Sequence, residues 1–139
     1  MLLIDNSAWA RLGSPRLPAD RVEEVAQWIE SAELAACFPF ILEAGYSARS
    51  AADHDRVIAD LIMLPWVDVT PAISRIAIQA QGELARVGHH RVPPADLVIA
   101  ACAHSEGAGV LHYDRDYDLV AEHSGLDFRS EWLAAAGSI

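Results

Sequence analysis

A chain of 139 residues with a hydrophobic fraction of 53% has the length for one domain with a buried core, here residues 1–139, and its composition excludes a disordered chain. It contains no apolar run of about 18 residues, which argues against a transmembrane helix. The formal net charge is −10, and all ten basic residues are arginine, so chemistry that requires lysine is excluded.

Along the chain, strand-like and helix-like segments alternate, the pattern of an α/β domain with a largely parallel sheet. Leu2 to Ile4 is a short apolar run ending at Asp5, a strand of the mature fold rather than a secretory leader. Asp20-Arg21-Val22-Glu23 resembles a capping box, and Val22, Val25, Trp28 and Ile29 carry a helical stripe to about Glu30. Leu34 to Phe38 reads as a second strand. Pro39 suits an early helical position, with Ile41, Leu42, Gly45 and Tyr46 following at helical spacing. Val57, Ile58, Leu61 and Ile62 continue a helix to Leu64, where Pro65 stops it. Trp66 to Val69 alternates like a strand. Thr70-Pro71 opens a helix whose Ile73, Ile76, Ala77, Ala80 and Leu84 share one face, and Gly88 ends it. After a His89–Pro94 loop, Ala95 to His104 is an alanine-rich helix. Gly109 to Tyr113 is a buried-looking strand ending at Asp114. A short helix and an edge strand at Leu126-Asp127-Phe128 complete the pattern.

Two cysteines, Cys37 and Cys102, lie in separate apolar stretches and read as packed reduced thiols, which fits a cytoplasmic setting. Charge poses the harder question. A net acid excess opposes binding to a polyanion, so either the partner is not nucleic acid or several acids converge where a divalent metal neutralises them.

Most of the 20 acids are expected to be solvated surface charges. Asp5 and Asp114 end apolar strands, and ligands of open parallel sheets gather beyond the carboxyl ends of strands. Asp96 stands at a helix start, where an N-cap role is the simple alternative. Glu43 interrupts an apolar helix, where a lone buried charge is expensive. Crowded carboxylates repel one another, and bound Mg²⁺ or Mn²⁺ removes that cost while activating water for attack on phosphorus.

Taken in order, four segments resemble the PIN domain, particularly VapC-type toxins. They are Leu2-Leu3-Ile4-Asp5-Asn6-Ser7-Ala8-Trp9, Ile41-Leu42-Glu43-Ala44, the run Arg91 to Ala103 around Asp96, and Val110-Leu111-His112-Tyr113-Asp114-Arg115-Asp116-Tyr117. The resemblance covers nearly the whole chain. It implies a three-layer α/β/α fold with a central, mostly parallel sheet. It also implies a metal site of Asp5, Glu43, Asp96 and Asp114, with Asp116 as a further ligand and Ser7 positioning a water or phosphate. The implied activity is Mg²⁺-dependent endoribonuclease, with Mn²⁺ as a substitute, in a homodimer neutralised by a small VapB-like antitoxin. The helices around Val22–Ile29 and Val57–Leu64 would supply the antitoxin groove, and Arg11, Arg49, Arg86 and Arg91 are candidates for RNA phosphate. Two departures stand out: Asn6 replaces a common threonine, and His112 replaces a common hydroxyl residue. His89 and His90 read as solvated.

Competing motifs fail on residues. Asp114-Arg115-Asp116 resembles the nucleophile of a haloacid-dehalogenase-like phosphatase, yet it lies late and no lysine accompanies it. The absent lysine equally removes a response-regulator receiver. Asp114, Asp116 and Asp118 mimic a calcium loop, but Leu119 and Gly125 occupy its glycine and glutamate positions. A catalytically inactive PIN-like module that binds RNA or protein is the alternative function.

Overall fold

The computed structural model describes residues 1–139. Five parallel strands form one sheet, in the order β3-β2-β1-β4-β5: β1 (Leu2–Ile4), β2 (Leu34–Cys37), β3 (Trp66–Val67), β4 (Gly109–His112) and β5 (Arg129–Trp132). Helices flank it: α1 (Asn6–Trp9), α2 (Ala19–Glu30), α3 (Phe38–Tyr46), α4 (Ala51–Leu61), α5 (Pro71–Arg86), α6 (Pro94–Glu106) and α7 (Asp116–His123). No helix is long and apolar enough to cross a membrane.

The strand order explains where a site can form. From β1 the chain builds outward through β2 to β3, then returns to place β4 on the other side of β1. This reversal opens a crevice beyond the carboxyl ends of β1 and β4. Asp5 follows one strand and Asp114 the other. The Asp5 N–H still donates to the Leu111 carbonyl at 3.0 Å, so the ladder holds both acids in register.

Central strands covered on both faces read as continuous apolar runs, as Leu2-Leu3-Ile4 and Val110-Leu111 do here. Each such fully buried side chain contributes roughly 1.5–3 kcal/mol of hydrophobic stabilisation. Gly109 is required by close packing, because a Cβ there would lie 2.7 Å from Leu2 Cδ2 and 2.8 Å from the Arg129 carbonyl oxygen. In α5 the predicted face is present: Ile73, Ala77, Ala80 and Leu84 are buried, Ile76 packs against them, and Thr70 caps the Ile73 N–H. Helix α6 is apolar almost all round, as a helix packed on several sides must be. Gly107, at φ +61°, ends it in the left-handed conformation that glycine adopts without a Cβ clash.

Several boundaries differ from the sequence expectation. Pro18, not Asp20, is the N-cap of α2; Asp20 accepts the neighbouring Arg21 N–H and the capping box does not form. Phe38 belongs to α3 rather than β2, because Pro39 draws the helix start forward to it. In α3 the buried side is Phe40, Ile41 and Ala44, leaving Leu42 and Tyr46 exposed. β3 shrinks to two residues, with Asp68 instead accepting the Trp66 indole N–H at 2.8 Å. The last strand lies beyond Leu126-Asp127-Phe128. Leu126 and Phe128 are buried in the approach to it, while the strand itself, Arg-Ser-Glu-Trp, is a polar edge with no apolar run to announce it. Cys37 and Cys102 are free and buried, and the neighbouring Cys102 thiol together with burial pushes the Cys37 thiol up.

Candidate metal centre

Five acids converge at the crevice: Glu43, Asp96 and Asp116 from helices α3, α6 and α7, and Asp5 and Asp114 from beyond the ends of β1 and β4. Asp5 is 4% exposed and fully engaged. Its Oδ2 accepts the Ser7 N–H at 2.8 Å and the Ser7 hydroxyl at 2.5 Å, and its Oδ1 accepts the Tyr117 hydroxyl at 2.9 Å. It is therefore also the N-cap of α1, a local role alongside its place in the crevice. Ser7 is held in turn: its Oγ accepts the Tyr113 N–H at 2.9 Å.

Asp96 is the contrasting case. It is 5% exposed, and its Oδ2 is buried without any hydrogen-bond partner. It does not cap α6; Pro93 does, and Asp96 sits three residues further on, facing the crevice. Burial, then the nearby charges of Asp5, Asp114, Glu43 and Asp116, push its carboxyl up to about 8. Glu43 on α3 is raised by burial and then by Asp5. Asp116 at the start of α7 is raised by burial and by Asp114, against a lowering influence of Arg115. The Asp114 carboxylate accepts the Asp116 N–H at 3.0 Å, forming the tight turn into α7.

Carboxylate oxygens of Asp96, Asp114 and Asp116 all lie within 4.8 Å of one another. Asp5 and Glu43 stand outside that closest group but within its field, since both raise the Asp96 carboxyl. An all-oxygen anionic donor set suits a hard divalent cation, whose ligands at about 2.0–2.1 Å for Mg²⁺ would draw the group together. The orphaned Asp96 Oδ2 is the specific mark of fit. An unpaired buried carboxylate oxygen is costly, and a cation would supply the missing partner. The cluster therefore has the donor set and the open valence that a divalent metal would fit.

Two residues that order the acids were not assigned such roles from sequence. Tyr117, fully buried, reaches Asp5 from α7; its aromatic character is legible as core, but its hydroxyl's target lies 112 residues away and is not. His112, also fully buried, accepts the Asp114 N–H through Nδ1 at 3.1 Å and contacts Ser130 Oγ through Nε2 at 2.7 Å. The arginine candidates divide. Arg91, with His89 and His90, lines a cleft of about 190 Å³ that Asp116 also borders. Arg11 donates to the Ser7 carbonyl at 2.9 Å and lies over the Tyr113 ring, 4.7 Å from its centroid. Arg86 is paired with Glu83 instead, and Arg49 lines an open cleft with Arg56 at the start of α4. His89 is half-buried and stacked on His123 at 4.9 Å, so it is less solvated than its loop context suggested.

Comparison with known proteins agrees with this geometry. Residues 2–123 match the PIN domain family. Ribonuclease VapC18 of Mycobacterium tuberculosis is 37% identical over 142 aligned positions, covering 98% of this chain and 97% of that protein. Ribonuclease VapC51 of the same organism is 34% identical, covering 99% and 96%. Among solved structures, the DNA-bound VapBC of Salmonella typhimurium contains a chain of similar fold, with a TM-score of 0.71 at 22% identity, covering 96% of this chain and all of that one. VapBC2 from Rickettsia felis gives 0.70 at 14% identity, covering 93% and 98%. A parallel sheet reversing between β1 and β4, acids at both strand ends and relatives matched along their full length lead to one conclusion: the chain belongs to the PIN-domain family, among its VapC members.

Proposed function

We propose that this chain is the toxin of a VapBC-like pair, a single PIN-like domain that hydrolyses RNA phosphodiester bonds as a Mg²⁺-dependent endoribonuclease, with Mn²⁺ able to substitute. The observation that carries the reading is the unpartnered, buried Asp96 oxygen among four other acids, in a chain 37% identical to a protein named as a ribonuclease. Asp5, Glu43, Asp96 and Asp114 are the proposed catalytic acids, with Asp116 as a further ligand. When bound, the metal supplies a polarised water and a positive charge for the phosphate oxygens. It also reconciles a net charge of −10 with a polyanionic substrate.

The chain's own residues do the rest. Asp96, whose carboxyl is pushed up to about 8 by burial and its acidic neighbours, would release its proton on holding a cation. Tyr117 and Ser7 hold Asp5 in one orientation by donating to both of its oxygens. Ser7 donates to Asp5 and accepts from Tyr113, which leaves a second lone pair on its Oγ to accept a hydrogen bond from a water and orient it toward phosphate. Arg91, beside the acid cluster, is the favoured phosphate-gripping arginine, because guanidinium pairs well with phosphate oxygens.

A VapB-like antitoxin and a homodimeric state complete the proposal, with action in the cytoplasm where the RNA is. Val22 and Ile29 of α2, and Ile62 and Met63 after α4, are exposed and available to an antitoxin, whereas Val25, Leu61 and Leu64 of the same stripes are core. The test is incubation of purified protein with total cellular RNA, with and without Mg²⁺ or Mn²⁺, and mapping of new 5′ ends. Discrete metal-dependent cuts that vanish in Asp5→Asn and Asp96→Asn are expected. Tight metal binding without cleavage would instead favour the inactive binding module.

A further inference from the structure

His112 stands where the resemblance calls for a hydroxyl residue, and its surroundings are more elaborate than that substitution requires. The ring is fully buried, stacked on Tyr117 with centroids 4.8 Å apart and edge-on to Trp132 at 5.0 Å. Its Nδ1 accepts the Asp114 backbone N–H at 3.1 Å, so that nitrogen carries a lone pair and the proton of the neutral ring sits on Nε2. Nε2–H then donates to Ser130 Oγ at 2.7 Å, and the Ser130 hydroxyl donates to Asp118 Oδ1 at 2.6 Å. The other oxygen of Asp118 accepts the Trp132 indole N–H at 2.9 Å. Every donor in this chain therefore points toward the Asp118 carboxylate, and the direction of each bond follows from the first.

We infer that His112 is a positioning residue of the metal centre, an Nε2-protonated imidazole that ties the Asp114 turn to the edge strand β5 through Ser130. The inference rests on the metal-centre reading above and deepens it. A serine or threonine at this position could accept the Asp114 N–H but is too short to span to β5 as well. Imidazole offers two nitrogens on opposite sides of one rigid ring. Ser130 and Trp132 lie beyond residue 123, where the match to the PIN domain ends, so the relay recruits a segment outside the matched region to hold a residue within it. The same ring packs against Tyr117, whose hydroxyl orders Asp5. One side chain thus braces the acids at the ends of both β1 and β4. Partners that orient metal-binding groups in this way typically affect metal affinity by about 10–100-fold.

The test uses the whole protein and has a readout independent of cleavage. Imidazole ¹⁵N–¹H correlation spectra of the metal-free protein are expected to show His112 protonated at Nε2 and bare at Nδ1. Calorimetric Mn²⁺ titration is expected to show binding about tenfold or more weaker in His112→Gln. Ser130→Ala, a change on an edge strand that spares the buried ring, should weaken binding in the same direction by a smaller factor. Ser130→Thr, which keeps the hydroxyl, should restore it. In the cleavage assay the loss should fall on kcat, with KM for RNA unchanged. An Nδ1-protonated ring, or Mn²⁺ binding in Ser130→Ala equal to the unaltered protein, would overturn the proposal. Failure of the unaltered protein to bind Mn²⁺ would overturn it together with the metal centre. Mn²⁺ binding without RNA cleavage would defeat only the ribonuclease reading and leave the titrations to decide the role of His112.

Discussion

Asp96 and Asp53 occupy the same local position, the third residue of a helix, yet they behave in opposite ways. Asp53, near the start of α4, accepts the Arg49 backbone N–H and the Arg56 guanidinium, and these partners hold its carboxyl below the usual range. Its helix opens into solvent. Asp96 begins α6, which is buried between the sheet and α5, and meets carboxylates rather than arginines; its carboxyl is pushed up to about 8. A helix N-terminus favours negative charge in both cases. At Asp96 the combination of burial and converging acids outweighs that local preference. A site arises where tertiary packing overrides the local preference, and an ordinary capping turn remains where it does not.

The largest expected effect is that of Asp96→Asn, which removes a proposed ligand and the buried acid together. Metal-dependent RNA cleavage should fall below detection, while the metal-free protein should melt at a higher temperature at neutral pH, because folding no longer has to bury an acid that must take up a proton to fit. A lower melting temperature for the folded variant would show that Asp96 is a structural acid like Asp53.

Next is the pH dependence. In the unfolded chain Asp96 ionises near the usual ~3.9, whereas in the folded, metal-free protein it keeps its proton to about pH 8. Between those values the folded state holds the extra proton, so the contribution of Asp96 to stability falls as pH rises and levels off above about 8. A metal must displace that proton. Mn²⁺ affinity measured by calorimetry should therefore rise about tenfold per pH unit toward pH 8 and then flatten, with proton release detectable by changing the buffer. A flat profile from pH 6 to 8 would mean that Asp96 is already ionised and unlike the crowded acid described above.

Tyr117→Phe should have a smaller effect. It deletes one buried hydrogen bond to a carboxylate, an interaction worth roughly 1.5–3 kcal/mol, so turnover should fall about tenfold or more with the fold retained. Full turnover in the phenylalanine variant would show that Ser7 alone suffices to orient Asp5. Smallest of all is Asp53→Asn, for which cleavage and metal affinity should be unchanged and thermal denaturation should shift only slightly downward.

Much of this arrangement is legible in the residues. The apolar runs at β1 and β4, each stopped by an aspartate, imply a parallel sheet with acids at its carboxyl edge. Thr70-Pro71 and the stripe from Ile73 to Leu84 specify α5 because capping and helical spacing are local properties. The polar strand β5 was not legible, since an edge strand is defined by backbone pairing to β4 rather than by an apolar pattern of its own. Nor is α1 legible, because a four-residue helix capped by Asp5 is too short to show periodicity.

The sequence by itself determined the alternation of elements, the α/β class and the identities of the acids, because apolar spacing and chain punctuation act over a few residues. Only the tertiary structure decided that Asp96, Asp114 and Asp116 approach within one cation's reach, that Asp96 keeps an oxygen without a partner, and that His112 and Tyr117 brace the site. Those facts depend on contacts between residues as many as 112 positions apart and on burial, which exists only once the sheet and helices have closed around them.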